Sequence, residues 1–186
     1  MVEKSEKIWL DGKFVNWDDA KVHVLTHALH YGSAVFEGIK AYEASKGTAI
    51  FRLKEHVDRL YSSAHIFGIK IPFLKQEFSD AIKETVKINK LKSCYIRPLV
   101  FLGDGPMGLS PINSPVRCMV AAWPWGAYLG EEGMAKGIRL RTSSFQRNSV
   151  NAMMTKAKIA GNYVNSILAK LEAVKQGFDE AMIELT

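Results

Sequence analysis

Two amphipathic segments follow one another between short apolar runs, and that succession limits the fold more than any other feature. Within residues 54–67, Val57, Leu60, Tyr61, Ala64 and Phe67 recur at helical spacing, and Gly68 offers a stop. Within residues 77–90, Phe78, Ile82, Thr85, Val86 and Ile88 gather near one side with the charges opposite. Each helix has one face to bury, and the flanking runs supply the surface. IWLDGKFV alternates apolar and polar residues around Asp11-Gly12, a dipeptide that accepts positive φ, and predicts an opening hairpin. TAIFRL, SCYIRPLVFL and RCMVAAWPW read as further strands. The two helices are expected to cover one face of the resulting sheet. Between hairpin and helices, HALHYGSAVFEGIKAYE is rich in Gly and aromatics, a loop-like stretch of the kind that builds sites.

The pattern changes near WPWGAYLGEEGMAKG, where Pro124, Gly126, Gly130, Gly133 and Gly137 interrupt any regular period. A small N-terminal domain is expected over residues 1–122, an interdomain loop over 123–136, and the start of a second domain over 137–186, with the site between the domains. In that last part IRLRTSSF reads as a strand. Residues 158–176 read as a helix carrying Val164, Ile167, Leu168, Leu171 and Val174, closed by Gly177, and DEAMIELT as a strand. Nothing follows this strand to pair with it, so the second domain is expected to be incomplete. The fold class expected is α/β (α+β).

Composition removes several classes of function. No apolar run approaches the roughly 20 residues that span a bilayer, and MVEKSEKIWL is charged where a secretory signal is apolar, so a cytoplasmic protein with no membrane partner is expected. The net charge of +6 comes from lysines scattered among acids, as in KQEFSDAIKETVKINK, and no basic run is interleaved with aromatics; no nucleic-acid partner is expected. Cys94 and Cys118 lack CxxC spacing and sit in apolar runs, which reads as buried thiols. His27 and His30 have no acidic or cysteine companion at ligand spacing, and no metal centre is expected.

TKAKIAGNYVNS is the stretch most suggestive of chemistry, because Lys158 stands before a Gly-Asn-Tyr triplet that opens an apolar segment. Lysine amines form Schiff bases with aldehydes when the neutral amine is available; taken alone, a lysine at a helix start is more often a solvated surface group. Tyr95 and Arg97 alternate to the same face of one strand, so that both polar tips reach the same side, and an arginine among apolar residues needs an anionic partner. Arg59, in HVDRL, carries a guanidinium suited to forked bonds with a phosphate, or alternatively to a surface pair with Glu55.

Five segments in one order, HYGSAVFEGIKAY, HVDRL, CYIRPLVFLGD, WPWGAYLG and AKIAGNYVNS, resemble the signatures of fold-type IV pyridoxal-phosphate aminotransferases, in particular their branched-chain amino-acid branch. The resemblance implies that Lys158 holds pyridoxal 5'-phosphate as a Schiff base and shuttles the substrate proton, with Lys156 a surface residue. It implies that Arg59 takes the cofactor phosphate and that Tyr163 hydrogen-bonds the cofactor's phenolic oxygen. Tyr95 and Arg97 are implied to handle substrate carboxylates, Arg97 above all the second carboxylate of glutamate or 2-oxoglutarate. Phe36, Trp125 and Tyr128 are implied to line the side-chain pocket, and Tyr31 and Leu109 to act across a dimer interface. The reaction implied moves the amino group of leucine, isoleucine or valine to 2-oxoglutarate, in a homo-oligomer that is a dimer or a dimer-based hexamer. A D-amino-acid transaminase or an aminodeoxychorismate lyase shares the lysine segment and Arg59 but is expected to lack the GSAVFEGI, YIRP and GAYLG combination. The family's chains run on beyond residue 186, where the acidic partner of the pyridine nitrogen is expected, so an inactive fragment is the remaining alternative.

Overall fold

A computed structural model describes residues 2–126 and 130–185. The chain divides into two compact units. The first comprises Met1–Trp125 with Ala157–Ala160, the second Gly126–Lys156 with Gly161–Thr186.

The first unit is built on an antiparallel sheet. Strands β1 (Lys7–Leu10) and β2 (Lys13–Asn16) form the expected hairpin. Its turn places Asp11 at φ 48° and Gly12 at φ 90°, the left-handed pair that a two-residue hairpin requires. The Asp11 carboxylate accepts the Cys118 N–H at 2.7 Å, which pins the turn to the sheet. A short helix α1 (His27–Tyr31) then leads into β3 (Ala34–Phe36), β4 (Ile39–Ala44) and β5 (Gly47–Ile50). After helices α2 (Leu53–Ile66) and α3 (Lys75–Ile88) come the two long strands, β6 (Cys94–Leu102) and β7 (Val116–Trp123). The sheet order is β2-β1-β7-β6-β4-β5, with β3 also paired to β6.

β3 and β4 lie along the same edge of β6 in one unbroken register, Phe36 opposite Leu99 and Ile39 opposite Ile96. What interrupts them is Pro98. Its carbonyl accepts the Glu37 N–H at 2.9 Å, but proline has no N–H to return, so the ladder lapses over Glu37-Gly38. Residues 34–41 therefore run as one strand with a gap. Its alternate residues Val35, Glu37, Ile39 and Ala41 are almost fully buried, while Phe36, Gly38 and Lys40 lie on the other face and are half-buried.

Helices α2 and α3 cover the first of these faces, as the periodicity anticipates. Val57, Leu60 and Ala64 of α2 and Phe78, Ile82 and Val86 of α3 meet Ile39, Ile96, Val100, Cys118 and Val120 of the sheet in one core cluster. Trp9 meets the edge of Phe78 at a ring separation of 5.5 Å. Burial of a side chain such as Phe78 is worth about 1.5–3 kcal/mol. α3 begins two residues before its expected start because the Glu77 carboxylate accepts the Leu74 N–H at 2.6 Å and caps the earlier turn.

In the second unit, strand β8 (Leu140–Thr142) pairs in parallel with β9 (Glu180–Met182), and helix α5 (Tyr163–Lys175) makes the crossover between them. The last strand thus has a partner that precedes it, contrary to the expectation of an unpaired end. Glu172 of α5 accepts the Ser143 hydroxyl at 2.7 Å and the Ser144 N–H at 2.9 Å, bonds that hold its carboxyl down at about 2. Residues 130–136, expected as loop, form helix α4 (Gly130–Lys136), supported by a Glu132–Lys136 pair at 3.0 Å and closed by Gly137 at φ 78°. Among the described residues, no helix is long and apolar enough to cross a membrane.

Candidate active site

Lys158 belongs to the short segment Ala157–Ala160 that packs with the first unit rather than to the helix expected from residue 158. Ile159 bridges to Val35, the Lys158 carbonyl accepts the Phe36 N–H at 3.2 Å, and the Lys158 N–H donates to the Ser63 hydroxyl at 3.0 Å. The lysine backbone is therefore held by a strand on one side and a helix on the other. Lys156 is exposed, Lys158 half-buried.

The lysine side chain lies against the face of the sheet opposite helices α2 and α3. Its Nζ sits 4.5 Å from the centre of the Phe36 ring, and the Arg97 guanidinium carbon sits 4.7 Å from the same ring. One aromatic ring thus brings together the amine and the guanidinium that the sequence marked separately. Tyr95 joins them: its hydroxyl accepts from Arg97 Nη2 at 3.0 Å. Its ring meets Trp125 edge-on at 4.6 Å. Lys40 adds a further cation 5.6 Å from the Trp125 ring centre. Gly38 makes this arrangement possible, since a Cβ there would stand 2.0 Å from the Tyr95 hydroxyl oxygen. Arg97 Nε is buried with no hydrogen-bond partner among the described residues. A buried donor left so is costly, and an anion reaching this face would satisfy it.

Arg59 is placed by α2, one helical turn before Ser63. It pairs with Glu37 rather than Glu55, Nε to Oε1 at 2.5 Å and Nη2 to Oε2 at 2.7 Å, while His56 Nδ1 meets Oε2 at 2.9 Å. Glu55 pairs instead with Arg52 at 3.1 Å. Burial of Glu37 raises its pKa, but the hydrogen bonds and positive charge of Arg59 and His56 outweigh it and hold the carboxyl below its ordinary range. The sequence reading missed Glu37 and Ser63. A carboxylate in step with Val35 and Ile39 on a buried face was the available signal for Glu37; a serine on a helix offers none.

The remaining candidates are dispersed. Tyr31, exposed on α1, donates to the Met107 carbonyl at 2.8 Å, and Leu109 lies 80% exposed in the neighbouring loop. His27 meets Ser33 Oγ at 2.7 Å and the Gly108 carbonyl at 3.0 Å, holding the same loop. Tyr163 is the first residue of α5 in the second unit. Tyr128 lies outside the described residues.

An amine, a guanidinium whose Nε has no partner among the described residues, and edge-packed aromatics thus meet on one face of the sheet. The chain belongs to the amino-transferase class IV family, whose model matches residues 34–185. It is 52% identical over 183 residues to the branched-chain-amino-acid aminotransferase of Pseudomonas aeruginosa, covering 98% of this chain and 60% of that one. To the Escherichia coli enzyme of the same name it is 44% identical over 181 residues, covering 97% and 59%. It also resembles two crystal structures of branched-chain amino acid aminotransferases: one from T.th. with pyridoxamine 5'-phosphate, at TM-score 0.92, 57% identity and coverage of 97% and 59%, and one from Escherichia coli, at TM-score 0.94, 44% identity and coverage of 97% and 60%. The chain spans about 60% of the length of these relatives.

Proposed function

We propose that this chain carries the lysine-bearing part of a branched-chain L-amino-acid transaminase, which moves the amino group of leucine, isoleucine or valine to 2-oxoglutarate with pyridoxal 5'-phosphate. The observation that carries the proposal is the meeting of Lys158 and Arg97 on the Phe36 ring. Similar solved structures from T.th. hold N-(5'-phosphopyridoxyl)-L-glutamate and 4-methylvaleric acid, a dicarboxylate adduct and a branched apolar acid.

The residues present fit the cofactor by their chemistry. Lys158 offers an amine for its aldehyde, and Arg59, with 55% of its side chain accessible, offers a guanidinium for its phosphate. Tyr163 is assigned to the phenolic oxygen. When bound, the cofactor supplies the carbonyl that receives the amino group and a ring that withdraws electrons from the substrate Cα.

The chain's own residues do the rest. Lys158 Nζ holds the cofactor and, when released, moves the proton at the substrate Cα. Arg97, through its buried Nε, and Tyr95, held by Arg97 Nη2, orient a carboxylate, including the second carboxylate of 2-oxoglutarate. Phe36 and Trp125, with Tyr128, exclude water and select apolar side chains. Tyr31 and Leu109 present exposed side chains for a neighbouring copy, in a dimer or a dimer-based hexamer, and the reaction is assigned to the cytoplasm, in keeping with the charged opening MVEKSEKIWL.

Absorbance spectra with pyridoxal 5'-phosphate, before and after L-leucine, test this reading. A visible band that borohydride fixes on Lys158 and that L-leucine bleaches is expected. A band bleached by D-alanine and untouched by L-leucine would overturn the substrate assignment in favour of a D-amino-acid transaminase.

A further inference from the structure

Glu37 takes no part in the steps above, yet its placement is the most demanding in the first unit. Its side chain is fully buried, in step with Val35 and Ile39 on the helix-covered face. A carboxylate there is tolerated only if it is paired. Its partners come from one stripe of α2. His56, Arg59 and Ser63 stand at helical spacing, so that the residues gripping Glu37 and the hydroxyl holding the Lys158 backbone share one face of a single helix. The strand side is equally fixed, with the Glu37 N–H on Pro98 and the adjoining Phe36 N–H on Lys158.

We propose that Glu37 is a positioning residue for the cofactor phosphate. Its buried carboxylate grips Arg59 by Nε and Nη2, so that the guanidinium meets a phosphate monoester in one plane and at one offset from Lys158. The inference rests on the reading that Arg59 takes that phosphate. An arginine left to itself spends binding energy on ordering its long side chain, and a fork made in advance removes that loss. Glu37 also adds a negative charge near the anion, but one already neutralised by its paired Arg59. A purely structural Glu37, tying strand to helix, would cost stability when changed and leave phosphate recognition as it was.

The test compares pyridoxal 5'-phosphate with pyridoxal, the same aldehyde without the phosphate. Each is reduced onto the chain with borohydride, labelling at Lys158 is read by peptide mass mapping, and the ratio of half-saturating concentrations gives the phosphate selectivity. Arg59→Gln is expected to cut the selectivity by about tenfold, the value of charged hydrogen bonds lost. Glu37→Gln is expected to cut it by a similar factor, and the double variant no further than Arg59→Gln alone. Glu37→Asp keeps the charge paired but withdraws it by a methylene; an intermediate loss is expected, and it serves if Glu37→Gln melts below the assay temperature. Lowered melting temperatures with unchanged selectivity in both Glu37 variants, alongside a loss in Arg59→Gln, would overturn this inference and leave the proposed function standing. Unchanged selectivity in Arg59→Gln would remove the role of Arg59 itself, and the inference with it.

Discussion

On the helix-covered face of the sheet, Glu37 is fully buried and both its oxygens are engaged by Arg59 or His56. On the opposite face, Arg97 has a buried Nε with no partner among the described residues. The two charges stand near each other, since Glu37 faces Pro98, the next residue of β6, in the common register. Glu37 is the more deeply buried, and its oxygens are satisfied where the buried Nε of Arg97 is not. A satisfied buried charge fixes the groups that pair with it; an unsatisfied one is a standing demand for a ligand.

Substitutions at both faces can break that comparison, and the largest effect is expected at the open face. Lys158→Ala should abolish cofactor labelling at this position. Lys158 bonds to Phe36 and Ser63 through its own backbone carbonyl and N–H, so stability should change by less than about 1 kcal/mol, as read by urea unfolding. On the covered face the order reverses. Glu37→Leu strands Arg59 and His56, and a loss of about 2–3 kcal/mol is expected in the same measurement. Because the native Glu37 carboxyl titrates below its ordinary value of 4.5, its contribution is fully present above that pH and is lost as pH falls through the lower native value. The Leu variant should therefore lose less stability than the parent between pH 5 and acid unfolding.

Gly38→Ala sharpens the open face by shape. The added methyl collides with the Tyr95 hydroxyl, and a cost of about 1–3 kcal/mol with a raised KM for 2-oxoglutarate is expected. The smallest stability effect should come from Arg97→Met, within about 1 kcal/mol, because the single bond lost to the Tyr95 hydroxyl is offset by removal of the unsatisfied buried Nε. Its 2-oxoglutarate KM should nevertheless rise more than its leucine KM. Equal losses at Arg97 and Glu37 in unfolding would erase the contrast between the faces.

How far these faces were legible in the sequence depended on whether a single period governed a segment. The hairpin, α2, α3, β6 and β7 each follow one period, and the helices were placed to within two residues. The run through VFEGIK was not legible as a strand. A charge on the buried face and a glycine on the other blur its alternation, and the proline that interrupts its ladder stands some sixty residues away in β6. The segment around Lys158 was read as helix because apolar spacing continues back from α5. Residues 157–160 instead join β3, a choice made by long-range pairing that no local pattern records. Motifs pointed to Lys158, Phe36, Tyr95 and Arg97, and the structure brings these side chains together. The gathering itself, on one ring, depends on register.

The buried thiols of β6 and β7 have a consequence of their own. Burial pushes Cys94 up to about 11, and burial with the nearby Asp11 pushes Cys118 up to about 12. Neither forms appreciable thiolate at neutral pH, and neither is reachable from solvent while the sheet is closed. The rate at which an alkylating reagent consumes them therefore counts openings of the central strands rather than the chemistry of the sulfurs. With no other cysteine in the sequence, the molecule carries its own clock for the integrity of the scaffold on which Arg97 and Tyr95 stand.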